Sequence, residues 1–139
     1  FFLRSKIRQQ REFCKARSLA LLEPLDDGTE KHLVQCGEDG RPYRMMFADT
    51  RDIADAVVLA IDAPRAQNAT MFVGPDEATS LDAAVELLAA RTGLSIVRAN
   101  LPGPAVDYTT SNARARELLG FRPRWNFAAM VEDAFAGRS

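Results

Sequence analysis

The side chains able to do nucleophilic, acid–base or metal chemistry in this sequence are few and scattered. Cys14 and Cys36 lie far apart and make no Cys-x-x-Cys pair, and His32 is the sole histidine, so there is no ligand set for a zinc site. His32 opens the apolar run His32-Leu33-Val34-Gln35-Cys36, where packing is the expected role rather than proton transfer. Gly37 and Gly40 enclose Glu38 and Asp39, and no helix follows directly; this is a turn, not a phosphate cradle. The cations are mostly arginines, with Lys6, Lys15 and Lys31 the only lysines. The chain as given therefore offers no catalytic, cofactor-binding or metal-ligating constellation of its own.

The bulk properties fit that reading. Of 139 residues, 47% are hydrophobic and 27% charged, with a formal net charge of −1, which argues against a nucleic-acid or anionic-membrane surface. No apolar run approaches the roughly 18 residues of a membrane span. Reduced thiols point to a cytoplasmic setting. The opening Phe1-Phe2-Leu3-Arg4-Ser5-Lys6 is interrupted by charge too early for a signal peptide. A start on phenylalanine leads us to expect residues 1–139 to be a single domain or a fragment of a longer protein.

The elements that would position these residues follow from periodicity. Phe2 to Arg17 has Leu3, Ile7 and Cys14 near helical spacing, with a basic outer face read as solvated surface. The apolar run Leu19 to Leu25 ends at Pro24 and Asp26-Asp27-Gly28. His32–Cys36 and Tyr43–Phe47 read as two strands of a hairpin across Gly37–Pro42. From Arg51 to Ala63, Ile53, Val57, Ala60 and Ile61 share one helical face, with Asp49 or Thr50 as cap and Pro64 as stop. Ala69–Val73 is a compact apolar strand. Leu81, Ala84, Val85 and Leu88 then make the clearest helix, capped by Thr79 or Ser80 and closed by Gly93. Ser95–Arg98 is a further strand, and the proline-rich loop from Asn100 to Pro104 follows it. Two short helices end the chain, Asn112–Leu119 between Ser111 and Gly120, and Phe127–Phe135 capped by Asn126 with Phe127, Met130, Val131 and Phe135 inward. This is an α/β layout: a small mixed sheet with packed helices.

Four stretches resemble one family. Phe47-Ala48-Asp49-Thr50-Arg51-Asp52-Ile53-Ala54-Asp55-Ala56 is similar to an "F-x-x-V-x-D-x-A" segment, where a strand hands over to a helix. Met71-Phe72-Val73-Gly74-Pro75 followed by Thr79-Ser80-Leu81 resembles "F-N-x-G-G-x-x-x-T-S-L". Ser111 to Pro123, with Leu118-Leu119-Gly120-Phe121 inside it, resembles "D-x-S-K-A-R-x-L-L-G-F-x-P". Asn126 to Met130 is similar to the helix that closes the pattern. In this order and spacing they resemble the extended short-chain dehydrogenase/reductases, or NAD-dependent epimerase/dehydratases, and cover about the last hundred residues. The resemblance implies the C-terminal, substrate-side part of a Rossmann-type fold.

It also implies what should stand elsewhere. The family's glycine-rich turn for the cofactor pyrophosphate is absent here, and neither Tyr43 nor Tyr108 has a lysine four places on: Phe47 and Asn112 stand there. NAD or NADP is thus expected in the full-length protein, with none bound by this chain alone. Arginines are the family's natural ligands for a nucleotide diphosphate. Met45 falls at the position expected of one such arginine, with Arg44 one place off; Arg98 is nearest to the second. These three are the candidate substrate-binding residues. The expected partner is a small molecule, a nucleotide sugar or another hydroxyl- or carbonyl-bearing substrate, with homodimerisation as a further expectation. The competing reading is a free-standing, non-enzymatic ligand-binding or dimerisation module derived from the same fold.

Overall fold

In chain order the elements are β1 (His32–Cys36), β2 (Arg44–Met45), α1 (Thr50–Ile61), a 3-10 turn (Pro64–Ala66), β3 (Thr79–Ser80), α2 (Leu81–Thr92), β4 (Ile96–Asn100), α3 (Ala113–Leu119) and α4 (Phe127–Ala136). They come from a computed structural model that describes residues 28–137. The helix expected over Phe2–Arg17 and the run Leu19–Leu25 lie outside the described residues. The α/β class is as the sequence indicates. The chain forms two compact units, one with residues up to Arg44 and Ser80–Val106, the other with Met45–Thr79 and the residues from Asp107 onward.

In the first unit β1 and β4 run parallel, in register from His32 opposite Ile96 to Cys36 opposite Asn100. All five β1 residues are buried, which is why the run shows no polar alternation. Helix α2 packs against β1 and buries Leu81, Ala84 and Val85, and Gly93 ends it with φ 71°. The expected hairpin is reduced to a turn. Gly37 N–H donates to Arg41 O (2.8 Å) and Tyr43 N–H to Gln35 O (2.9 Å), but between the two expected strands the pairing is an isolated bridge, Cys36 to Pro42. Proline has no N–H to carry a ladder onward, and the continuous partner of β1 is β4. A Cβ on Gly37 would stand 2.8 Å from Ala105 Cα and 2.9 Å from Pro104 C, so two backbones meet where only glycine fits.

In the second unit α1 starts at Asp49, whose carboxylate accepts the Arg51 N–H at 2.8 Å. Ala56, Ala115 and Phe121 form the buried core, with Met71, Val73 and Leu119 against it. Gly120 closes α3 in the left-handed region, φ 69°. Ser111 Oγ accepts the Ala113 N–H at 3.2 Å, but the cap residue itself is Asn112. Asn126 caps α4 through Ala129 N–H (2.9 Å), and α4 buries Val131.

Two expectations fail here. The apolar stripe of α1 does not face the core. Val57 is 57% exposed and Ile61 76%, whereas the buried residues of the helix are Asp52 and Ala56. The reason is polar: Asp52 must reach backbone donors beneath it, and that sets the rotation of the helix. Nor is Ala69–Val73 a strand. Met71 and Val73 point inward and Phe72 is 65% exposed, so the alternation of a strand is present without a ladder.

Candidate functional site

The polar residues of the motifs turn inward to backbone. The buried Asp52 carboxylate accepts N–H bonds from Arg124 (3.0 Å) and Trp125 (3.1 Å), pinning the segment between α3 and α4 to the first turn of α1. Asn112, also buried, donates from Nδ2 to Gly74 O (2.7 Å) and Pro75 O (3.0 Å), tying the start of α3 to the turn after Val73. The Asn112 bonds join two of the motif stretches directly, and the Asp52 bonds tie a third to the short link between the Ser111–Pro123 and Asn126–Met130 stretches.

Asp49, Arg51, Trp125 and Asp133 form the most strongly polarised cluster. Arg51 Nε donates to Asp49 Oδ1 (2.8 Å), Nη2 to Asp49 Oδ2 (2.9 Å) and Nη1 to Asp133 (2.8 Å), with its guanidinium 3.4 Å from the Trp125 ring centroid. The Arg51 hydrogen bonds hold the Asp49 carboxyl down to about 2, and Asp49 in turn raises the Arg51 pKa. A guanidinium so engaged is a structural cation. Arg65 with Glu117 (3.4 Å), Arg116 with Asp76 (2.7 Å) and Arg124 with Asp55 are likewise paired.

The three sequence-derived candidates make separate contacts. Arg98, on β4, is 52% exposed and lies 3.9 Å from Asp82. Asp82 is held below the usual carboxylate range chiefly by the Ser80 hydroxyl, then by Ala83 N–H and the Arg98 charge. Arg44 is exposed in β2 and its N–H donates to Val106 O at 2.9 Å. Met45 is half-buried, and strand alternation sends its side chain to the other face from Arg44.

His32 is buried, and its Nε2 meets Thr92 Oγ1 at 2.7 Å. The Thr92 hydroxyl proton goes to Leu88 O (2.9 Å), so Nε2 is the donor. Burial lowers the His32 pKa. It packs rather than transfers protons. Among the described residues no group of three His, Cys, Asp or Glu side chains could hold a metal ion, and no helix is long and apolar enough to cross a membrane.

A dinucleotide pyrophosphate does not fit the helix starts described here. Such a site needs bare N–H groups and a glycine-rich approach, but α1 begins with Asp49 and Asp52 and α2 with Asp82. The feature that periodicity misplaced is a groove of about 400 Å³ in the second unit, lined by Ile53, Val57 and Ala60 of α1, Met71 and Val73, and Leu119. Its signal was the stripe on α1, which has the spacing of a core face and cannot by spacing alone report which surface covers it.

No protein-family model and no curated protein matches the chain. Solved structures do. A short-chain dehydrogenase/reductase superfamily protein from Agrobacterium tumefaciens, crystallised with bound NAD, is 42% identical over 99% of this chain, with a TM-score of 0.89. The chain belongs to the short-chain dehydrogenase/reductase superfamily. This short-chain dehydrogenase/reductase chain spans 42% of the length of that protein. It shares its fold with part of RMD from Pseudomonas aeruginosa in complex with NADPH, at 16% identity and TM-score 0.58, covering 99% of this chain and 43% of that one. An NAD-dependent NDP-hexosamine 5,6-dehydratase involved in tunicamycin biosynthesis is similar at 17% identity and TM-score 0.58, over 90% of this chain and 41% of its own.

Proposed function

We propose that this chain is the C-terminal, substrate-side portion of an NAD(P)-dependent epimerase, dehydratase or related reductase acting on a nucleotide sugar or a comparable hydroxyl- or carbonyl-bearing substrate. The observation that carries the reading is the 42% identity, over nearly the whole chain, to an NAD-bound superfamily protein of which it spans less than half. The chain's own inventory supports it: arginines to meet an anion, but no glycine-rich turn and no Tyr-x-x-x-Lys pair. In this reading another portion of the same protein holds NAD or NADP and carries the proton-transferring tyrosine. Arg44, Met45 and Arg98 contact the substrate, with the guanidinium groups taking phosphate oxygens. A cytoplasmic homodimer belongs to the same proposal.

The test is the reading frame upstream of Phe1. A glycine-rich turn and a Tyr-x-x-x-Lys within about two hundred residues, the size of one domain, is the expected result. A start codon immediately ahead of Phe1 would sink the proposal.

A further inference from the structure

Arg98 differs from other arginines that face a carboxylate. Arg41, Arg51, Arg65, Arg116 and Arg124 each donate a hydrogen bond to an acidic partner. The Arg98 guanidinium stands 3.9 Å from Asp82, beyond hydrogen-bond reach, with its side chain 52% exposed. It is tethered by charge, and its N–H donors are left uncommitted. Asp82 is fixed independently of it. One oxygen of the Asp82 carboxylate accepts both the Ser80 hydroxyl and the Ala83 N–H (2.9 Å), in the first turn of α2. The Ser80 bond above all holds Asp82 below the usual carboxylate range, so its negative charge is permanent near neutral pH. All three side chains, Ser80, Asp82 and Arg98, belong to the first unit.

A fixed anion beside an uncommitted cation has a chemical consequence. The guanidinium still presents a fork of N–H donors that fits an oxyanion. The field that a ligand meets there is the Arg98 charge offset by the Asp82 charge. Attraction to the one and repulsion from the other both grow in proportion to the ligand's charge, so a second negative charge brings little further gain. We propose that Asp82 sets the charge selectivity of the Arg98 end of the substrate site: that end takes a singly charged oxyanion, a carboxylate or a phosphodiester, and gives no advantage to the dianion of a phosphate monoester. This rests on the proposed function, which makes Arg98 a substrate ligand, and it narrows the substrate class. A sugar acid or a sugar joined through phosphodiester linkages fits; a sugar monophosphate does not. Asp82 acts here through Arg98, as a positioning and selectivity residue.

The test reads Arg98 itself in the full-length protein. Phenylglyoxal modifies arginine, and peptide mass spectrometry follows its rate at Arg98. The competing probes are dimethyl phosphate, with one charge, and methyl phosphate, doubly ionised at about pH 8 because the second phosphate pKa lies near 6. Low ionic strength keeps their charge unscreened. Both are expected to slow labelling of the parent, at similar concentrations. Asp82→Asn keeps the oxygen that Ser80 and Ala83 use and removes the charge. It should strengthen protection by methyl phosphate about threefold more than protection by dimethyl phosphate, the effect of one further charge a few ångströms away in water. If Asp82→Asn does not fold, Asp82→Ser keeps a hydroxyl acceptor in that turn and carries the same expectation. A ratio of the two protections that does not move, or a parent that already favours methyl phosphate about threefold, overturns the inference. Absence of protection by either phosphate overturns it too, by removing Arg98 as an anion ligand. The proposed function is decided separately, by the upstream reading frame, so the two failures are told apart.

Discussion

Asp52 is almost without solvent contact, and its two oxygens meet the backbone N–H groups of Arg124 and Trp125 instead of a cation. An alanine there takes the partner from two part-buried backbone donors, each loss worth on the order of 1 kcal/mol, so Asp52→Ala should lower stability by about 1–3 kcal/mol in urea titration. Asp52→Asn, which keeps one acceptor oxygen, should lose less. Asp49 makes a different prediction. Its folded pKa of about 2 lies below the unfolded value near 3.9. A depressed carboxylate contributes stability that is fully present above about pH 5 and is lost as the pH falls through about 2. Asp49→Asn should therefore have a lower urea midpoint than the parent at pH 7, and the gap should narrow sharply as the pH falls from about 5 towards 2. Equal gaps at both pH values would show that the Arg51 pairing is not the source.

Glycines at the ends of elements separate two kinds of constraint. Gly120 needs φ 69° but has open space around its Cα, so Gly120→Ala should cost only about 1 kcal/mol, read as a small fall in Tm. Gly37 has no such angle but faces the backbone of Pro104 and Ala105, and neither can move aside like a flexible side chain. Gly37→Ala should cost more than Gly120→Ala, by about 1–3 kcal/mol as for other overpacked sites. Helices α2, α3 and α4 were legible in sequence because their ends are written locally, in Gly93, Gly120 and Asn126. The rotation of α1 was not. Ile53 and Val57 have the spacing of a core face, but what decides is Asp52, whose partners lie seventy residues further on. The strand over Ala69–Val73 failed for a related reason, since strand character needs a ladder and local composition does not supply one.

At the scale of the molecule the two units are different objects. The first is a parallel strand pair with a helix against it; the second is a helical layer with an open apolar face. On the proposed function, added NAD or NADP should raise the Tm of the full-length protein and leave that of residues 1–139 alone unchanged, since a ligand stabilises only the chain whose folded form binds it. On the same proposed function, Arg44→Ala and Arg98→Ala in the full-length protein should each raise KM for an anionic substrate roughly tenfold or more, the worth of a charge-assisted hydrogen bond. A kcat loss at unchanged KM would argue that these arginines do not bind the ground-state substrate.

The sequence by itself determined the α/β class, most helix ends, the superfamily resemblance and the absence from this chain of a glycine-rich turn and a Tyr-x-x-x-Lys pair. All of these are written in residues close together along the chain. Only the tertiary structure decided that β1 takes β4 as its partner, that the motif residues Asp52 and Asn112 are spent on backbone, and that the apolar stripe of α1 borders an open groove. Those outcomes depend on which distant segment reaches a given donor, acceptor or strand edge first, and hydrophobic periodicity carries no information about that.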